Sequence, residues 1–157
     1  MGPERKFYEE VKKSIPSISW IRLENNSLHG TPDLLGYNNS GVFFTVELKV
    51  TKGKGVNLSP QQIAWNTAYS RCGGLSFILV KGSGQADLFL FEGGRASEVG
   101  AVGIDAESLY RGRDWSGLWD KIRESGFGTS GFGTSGSGFG DHRLLVQGAG
   151  TGAPVQQ

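Results

Sequence analysis

Asp33, Glu47 and Lys49 are the residues whose types and spacing carry chemistry in this chain. From Val42 the sequence alternates with a period of two. Val42, Phe44, Val46, Leu48 and Val50 occupy one face of a half-buried strand, and Phe43, Thr45, Glu47 and Lys49 the other. Asn38-Asn39-Ser40-Gly41 just before it is turn chemistry, and Gly41 suits the left-handed position that closes a three-residue loop. Leu34 to Tyr37 then becomes the antiparallel partner. With Asn39, Ser40 and Gly41 as the loop, Asp33 stands directly opposite Glu47, with Cβ atoms about 4.5 to 5.5 Å apart. Lys49, two residues further on, shares their face.

Two carboxylates at that distance repel by about 4 kcal/mol for charges 4 Å apart at an effective dielectric near 20. A hard divalent cation offsets this. Mg²⁺ favours one or two carboxylates, retained water and phosphate oxygens over an all-protein cage, and Mn²⁺ substitutes for it. The backbone carbonyl of Leu48 is a neutral candidate ligand between Glu47 and Lys49. Such an ion activates water as a nucleophile at neutral pH and polarises phosphoryl oxygens, which is the chemistry of phosphodiester hydrolysis. Lys49 would position that water or balance charge in the pentavalent transition state.

The surrounding elements must aim these groups. Phe7, Val11 and Ile15 recur at helical spacing among charges, so residues 3–14 read as an amphipathic helix ended by Pro16. Trp20 to Glu24 reads as a short strand, followed by turns at Asn25-Asn26-Ser27 and Gly30-Thr31-Pro32-Asp33. Ser59-Pro60-Gln61-Gln62 opens a second helix, with Ser59 as N-cap, Pro60 at the first position and Gln62 closing a capping box. Trp65, Ala68, Tyr69 and Cys72 give that helix an apolar stripe, and Gly73-Gly74 stops it. Strands are expected over Leu75 to Val80 and Asp87 to Phe91, joined through Lys81-Gly82-Ser83-Gly84. A last helix from Asp114 to Arg123 buries Trp115, Leu118, Trp119 and Ile122 as core.

At 157 residues the chain holds one ordinary domain, here 1–124, and a tail, 125–157. The tail repeats Gly-Phe-Gly-Thr-Ser with few branched aliphatics, and such a composition buries too little apolar area to offset its ordering entropy. Sixteen basic and fifteen acidic residues nearly cancel, so any basic surface is local. One cysteine, Cys72, allows no internal disulfide, and the N-terminus has no secretory apolar core, which points to a reducing, cytoplasmic setting. No apolar run approaches the roughly 18 to 20 residues of a membrane span. No phosphate-loop signature is present, so ATP coupling is not expected, and His29 and His142 lack partners at metal-ligand spacing.

Gly30-Thr31-Pro32-Asp33, thirteen intervening residues, Glu47-Leu48-Lys49 and then Ser59-Pro60-Gln61-Gln62 together resemble the PD-(D/E)xK nuclease superfamily. Within it the chain looks like the small phage-type and Holliday-junction-resolvase-like nucleases, including VRR-NUC-like enzymes and free-standing homing endonucleases. The resemblance spans roughly Trp20 to Lys81. It implies an α/β, restriction-endonuclease-like αβββαβ core with a mixed central sheet flanked by helices. It also implies metal ligation by Asp33 and Glu47, catalytic support by Lys49, and a Gln62 that reaches substrate or the nucleophilic water. The family's remaining acid falls on Glu24, within Arg22-Leu23-Glu24-Asn25, or on the first helix at Glu10 or Glu9. DNA is the implied partner, cleaved by a two-fold homodimer, and the cytoplasm is the host's if the chain is virus-encoded.

Lys52 and Lys54, on a flexible glycine-flanked run, are candidate phosphate contacts, and Arg22, Lys12, Lys13 and Arg71 candidate extensions of that surface. Three functions compete: a DNA endonuclease, a resolvase acting on junctions or flaps, and a catalytically silent DNA-binding module.

Overall fold

The spacing of Phe7 and Val11 behind Pro3 produces, in the computed structural model, helix α1 (Pro3–Ser14), which buries both side chains. The structure describes residues 2–24, 27–84 and 87–126. Strand β1 (Ser19–Arg22) follows α1, then β2 (Leu34–Tyr37), β3 (Phe43–Thr51), helix α2 (Pro60–Arg71) and β4 (Ser76–Gly82). That order is αβββαβ. Beyond it come β5 (Leu88–Glu92), a short helix α3 (Ala96–Val102), β6 (Tyr110–Gly112) and α4 (Trp115–Gly126).

The six strands form one sheet in the order β1-β2-β3-β4-β5-β6. Only β3 and β4 are parallel, because α2 carries the chain back between them, and the other neighbours are antiparallel. The fold is therefore mixed α/β, a mixed sheet flanked by helices, as a restriction-endonuclease-like core requires. On one face, Phe44, Val46, Leu48, Phe77 and Leu79 pack with Phe7 and Val11 of α1 and Leu118 and Ile122 of α4. On the other, Ile78, Val80, Phe89 and Phe91 pack with Val56, Leu58 and Ala96 and Val99 of α3. None of the helices among the described residues is long and apolar enough to cross a membrane.

Two expectations about burial need correction. β3 is not half-buried: every residue from Phe44 to Leu48 is buried, the polar-face members Thr45 and Glu47 included. A central strand with a parallel neighbour and a layer on each face has no solvent side. The stripe assigned to α2 also fails. Ala68 and Cys72 are exposed, Trp65 and Tyr69 are half-buried and stack with ring centroids 4.9 Å apart, and the fully buried residue is Asn66. The inward face of α2 is polar because it meets the polar wall of β3 and β4.

Helix α4 runs on to Gly126, past the expected end at Arg123, with Leu118 and Ile122 buried. The glycine-phenylalanine repeat of the tail lies outside the described residues. α3 and β6 were not foreseen, each being short and punctuated by glycine.

Candidate active site

The hairpin register runs from Leu34 opposite Val46 to Tyr37 opposite Phe43. Continued one step, it sets Asp33 against Glu47, as the loop length requires. β2 stops at Leu34, and the Asp33 carboxylate takes over where strand pairing ends, its Oδ2 accepting the Leu48 N–H at 2.8 Å. The loop before it is clamped to the start of α2. Gly30 adopts φ +90°, and a Cβ there would lie 2.4 Å from the Gln61 carbonyl oxygen, so only glycine allows the approach. Leu23 N–H donates to the Asp33 carbonyl at 2.8 Å, fixing the same segment from the β1 side.

At the α2 N-terminus both halves of the capping box are present: the Gln62 N–H donates to Ser59 Oγ, and the Ser59 N–H to Gln62 Oε1. This leaves the Gln62 Nε2 donating to Glu47 Oε1. Lys49 Nζ lies 3.4 Å from the same oxygen, and the Glu47 side chain is 1% exposed. Its second oxygen, Oε2, is buried and receives no donor, and the Glu47 carboxyl meets that of Asp33 instead. Burial first, and the Asp33 charge second, push the Glu47 carboxyl up to about 8, with Lys49 opposing them.

These observations fit a divalent cation. An orphaned buried carboxylate oxygen is costly, and a second carboxylate beside it makes the pocket more so. Mg²⁺ suits such a pair, with water and phosphate oxygens completing its shell. Leu48, whose carbonyl is the neutral candidate ligand, is the residue whose N–H holds Asp33, so its backbone lies beside the Asp33 carboxylate. Among the described residues no group of three or more His, Cys, Asp or Glu side chains gathers.

The structure thus brings together Asp33, Glu47, Lys49 and Gln62. It does not bring Glu24 or Glu10 to them. Glu24 is 76% exposed on its side chain and pairs with Arg22 at 3.6 Å. Glu10 pairs with Lys81, whose Nζ stands 5.7 Å from the Phe7 ring centroid on the α1 face of the sheet, opposite Glu47. Glu9 pairs with Lys12 at 3.9 Å. Among the candidate DNA contacts, Lys54 is held by Asp105 at 2.9 Å, while Lys13, Lys52 and Arg71 are exposed. Lys12 and Arg22 both stand over the Tyr8 ring.

A second polar pair, Asn66 and Ser76, carries only a faint signal in the sequence. The Asn66 Nδ2 donates to the Gln62 carbonyl at 2.9 Å, and the Ser76 hydroxyl donates to Asn66 Oδ1. Both residues are buried and extend the Glu47-Gln62 contact along α2 into β4. The signal was an asparagine four residues after Gln62, on the same helical face.

No family model matches this chain, and no curated protein matches it. Among solved structures it is similar to Hjc of Archaeoglobus fulgidus, described as a Holliday junction resolvase from an archaeal hyperthermophile. The two are 20% identical, the match covers 57% of this chain and 74% of that one, and the TM-score is 0.45.

Proposed function

We propose that this chain is a divalent-metal-dependent nuclease that hydrolyses phosphodiester bonds in DNA, with Mg²⁺ as the preferred ion and Mn²⁺ as a substitute. The observation that supports it is one carboxyl pair: Glu47 Oε2, buried and receiving no donor, faces the Asp33 carboxylate, and two acids so placed must share a proton or a cation. A fold that buries an acid this way gains nothing in stability from it, so a ligand is the economical explanation.

Asp33, Glu47 and the Leu48 carbonyl would hold the ion, which supplies Lewis acidity towards phosphate oxygens and a lowered pKa for its water. The chain's own groups do the rest. Asp33 is held in orientation by the Leu48 N–H. Gln62 fixes one Glu47 oxygen and thereby directs the other. Lys49, with its side chain 15% exposed, favours the ionised form of Glu47 and presents a cation to charge developing on the phosphoryl group. Lys52 and Lys54, with Arg22, Lys12 and Arg71 as outlying contacts, would meet the backbone of the duplex. Glu24 would join only if substrate drew it from its present pair with Arg22, and Glu10, across the sheet from Glu47, would need a rearrangement of α1.

Purified protein incubated with Mg²⁺ and supercoiled plasmid, linear duplex or a four-way junction, with end mapping and an EDTA control, tests this reading. Metal-dependent nicking with 5′-phosphate ends is expected. Preference for the junction would mark a resolvase, a fixed cut in linear duplex a homing-type endonuclease. Binding in every arm with cleavage in none would make the chain a silent DNA-binding module. Sedimentation in the presence of DNA tests the two-fold dimer that paired cuts would require.

A further inference from the structure

We propose that a cleft at the far end of β3 and β4 seats a DNA backbone phosphate, gripped by Lys52 and Arg111, a few nucleotide steps from the scissile bond. This rests on the reading of Asp33, Glu47 and Lys49 as a DNA-cleaving site. The cleft has a volume of about 510 Å³ and opens between the 51–54 and 82–84 segments, with Phe89, Ile104 and Arg111 lining it.

Its place relative to the active site follows from register. Lys49 stands opposite Val80, Val80 opposite Phe89, and Phe89 opposite Arg111. Paired residues point to one face, so Arg111 lies on the Lys49 face, three strand spacings of about 4.8 Å away, or about 14 Å. Duplex DNA rises about 3.4 Å per nucleotide along its axis while its phosphates also wind round it, so that span covers only a few steps of one strand.

Its charge favours an anion. Of the carboxylates nearby, Asp87 is neutralised by Arg113 at 2.8 Å and Asp105 by Lys54 at 2.9 Å. Lys52 and Arg111 are exposed and have no carboxylate partner among the described residues. Arg111 is also pre-positioned, its guanidinium 5.0 Å from the Phe89 ring centroid, so a planar donor fork is offered with little rotamer entropy left to lose.

Its walls are built rather than loose. Thr51 donates from Oγ1 to the Gly55 carbonyl at 2.6 Å, and Ser83 N–H donates to the Thr51 carbonyl at 2.8 Å. The Ile104 N–H donates to the Lys54 carbonyl at 2.8 Å, an approach that Gly103 alone allows, since a Cβ there would lie 1.9 Å from that oxygen. Gly53 and Gly84 need no left-handed backbone, and a Cβ at either would meet nothing within 4 Å. Their missing side chains keep the mouth clear.

The test is equilibrium binding of the full chain to a fluorescent duplex in EDTA across a salt series, so that no cleavage intervenes. Arg111→Met keeps the cover over Phe89 and removes the charge; Lys52→Met does the same for the loop. Each should lower the slope of log affinity against log salt by about 1 and weaken binding several-fold, and Arg111→Lys should restore the slope. An uncharged methylphosphonate, walked one step at a time away from the mapped cut, should at one position within a few steps make wild type and Arg111→Met bind alike. Slopes equal to wild type in Arg111→Met, or an equal loss in Arg111→Lys, would overturn the proposal. So would competition by inorganic phosphate with an unchanged DNA slope. A chain whose slopes move as expected but which cuts no DNA would instead overturn the nuclease reading.

Discussion

Gln62 donates from Nε2 to Glu47 Oε1 while its own Oε1 accepts the Ser59 N–H at 2.9 Å. The two contacts are not independent. An amide has one acceptor end and one donor end, and the helix cap takes the acceptor. The donor must therefore face Glu47. A residue that local helix chemistry fully explains is in this way committed to orient an acid across the sheet.

This separates two substitutions that would otherwise look alike. Ser59→Ala removes one cap bond and should cost about 1 kcal/mol of stability, with most of the cleavage rate kept. Gln62→Ala removes the other cap bond and leaves a buried Glu47 oxygen without its amide donor, which adds about 1 to 3 kcal/mol and should lower cleavage as well. Thermal melts paired with plasmid nicking read both. Equal effects on cleavage would reduce Gln62 to a helix-starting residue.

Burial of Glu47 gives stability a specific pH dependence. The carboxyl sits at about 8 when folded against 4.5 for the free group, so between those values the folded chain holds a proton that the unfolded chain has lost. Stability is then fully present below the lower value and falls as pH rises through the upper one, at up to about 1.4 kcal/mol per pH unit. In metal-free buffer, Glu47→Gln should match wild type near pH 5 and exceed it near pH 8. Parallel melting curves for the two proteins across that range would contradict the burial argument.

Local chemistry made much of this legible in the sequence. The β2-β3 register follows from a turn at Asn38 to Gly41 and strict alternation, both short-range, and the structure keeps it. The Ser59-Gln62 cap is equally local. What failed depended on distant partners. Asn66, not Tyr69, is the buried residue of α2 because parallel pairing brings Ser76 beside Thr45, making the surface that the helix covers polar. The third acid resisted for the same reason: what separates Glu24 from Glu10 is the cation, Arg22 or Lys81, and the exposure that the fold gives each. β6, three residues long, carried no period to read.

Metal binding should appear in stability before it appears in activity. Mg²⁺ or Mn²⁺ bound to the folded chain alone raises Tm by mass action. Below about pH 8 the ion must displace the Glu47 proton, so the shift should grow as pH rises towards that value. Asp33→Asn keeps an acceptor for the Leu48 N–H and removes the charge facing Glu47. The metal-free variant should melt no lower than wild type, yet lose most of the metal-induced shift. A full shift in the variant would remove Asp33 from the ligand set.

Lys49 distinguishes catalysis from attraction. Its Nζ sits 3.4 Å from Glu47 Oε1, with the side chain 15% exposed, so it is aimed into the pocket and poorly placed to grip a passing phosphate. Removing a cation that acts in the transition state lowers the rate without a matching loss in ground-state binding. Lys49→Ala should therefore bind duplex in EDTA with nearly wild-type affinity and salt slope, and cut it about 10² to 10⁴ times more slowly in Mg²⁺. A second consequence follows from its opposition to the upward shift of Glu47: without Lys49 the carboxyl rises further, and the pH needed for metal to bind moves up with it. Recovery of part of the lost rate at higher pH would be the signature of that electrostatic share, and the part that does not recover would measure what Lys49 does for the reacting phosphoryl group. An affinity loss as large as the rate loss would make it a phosphate anchor instead.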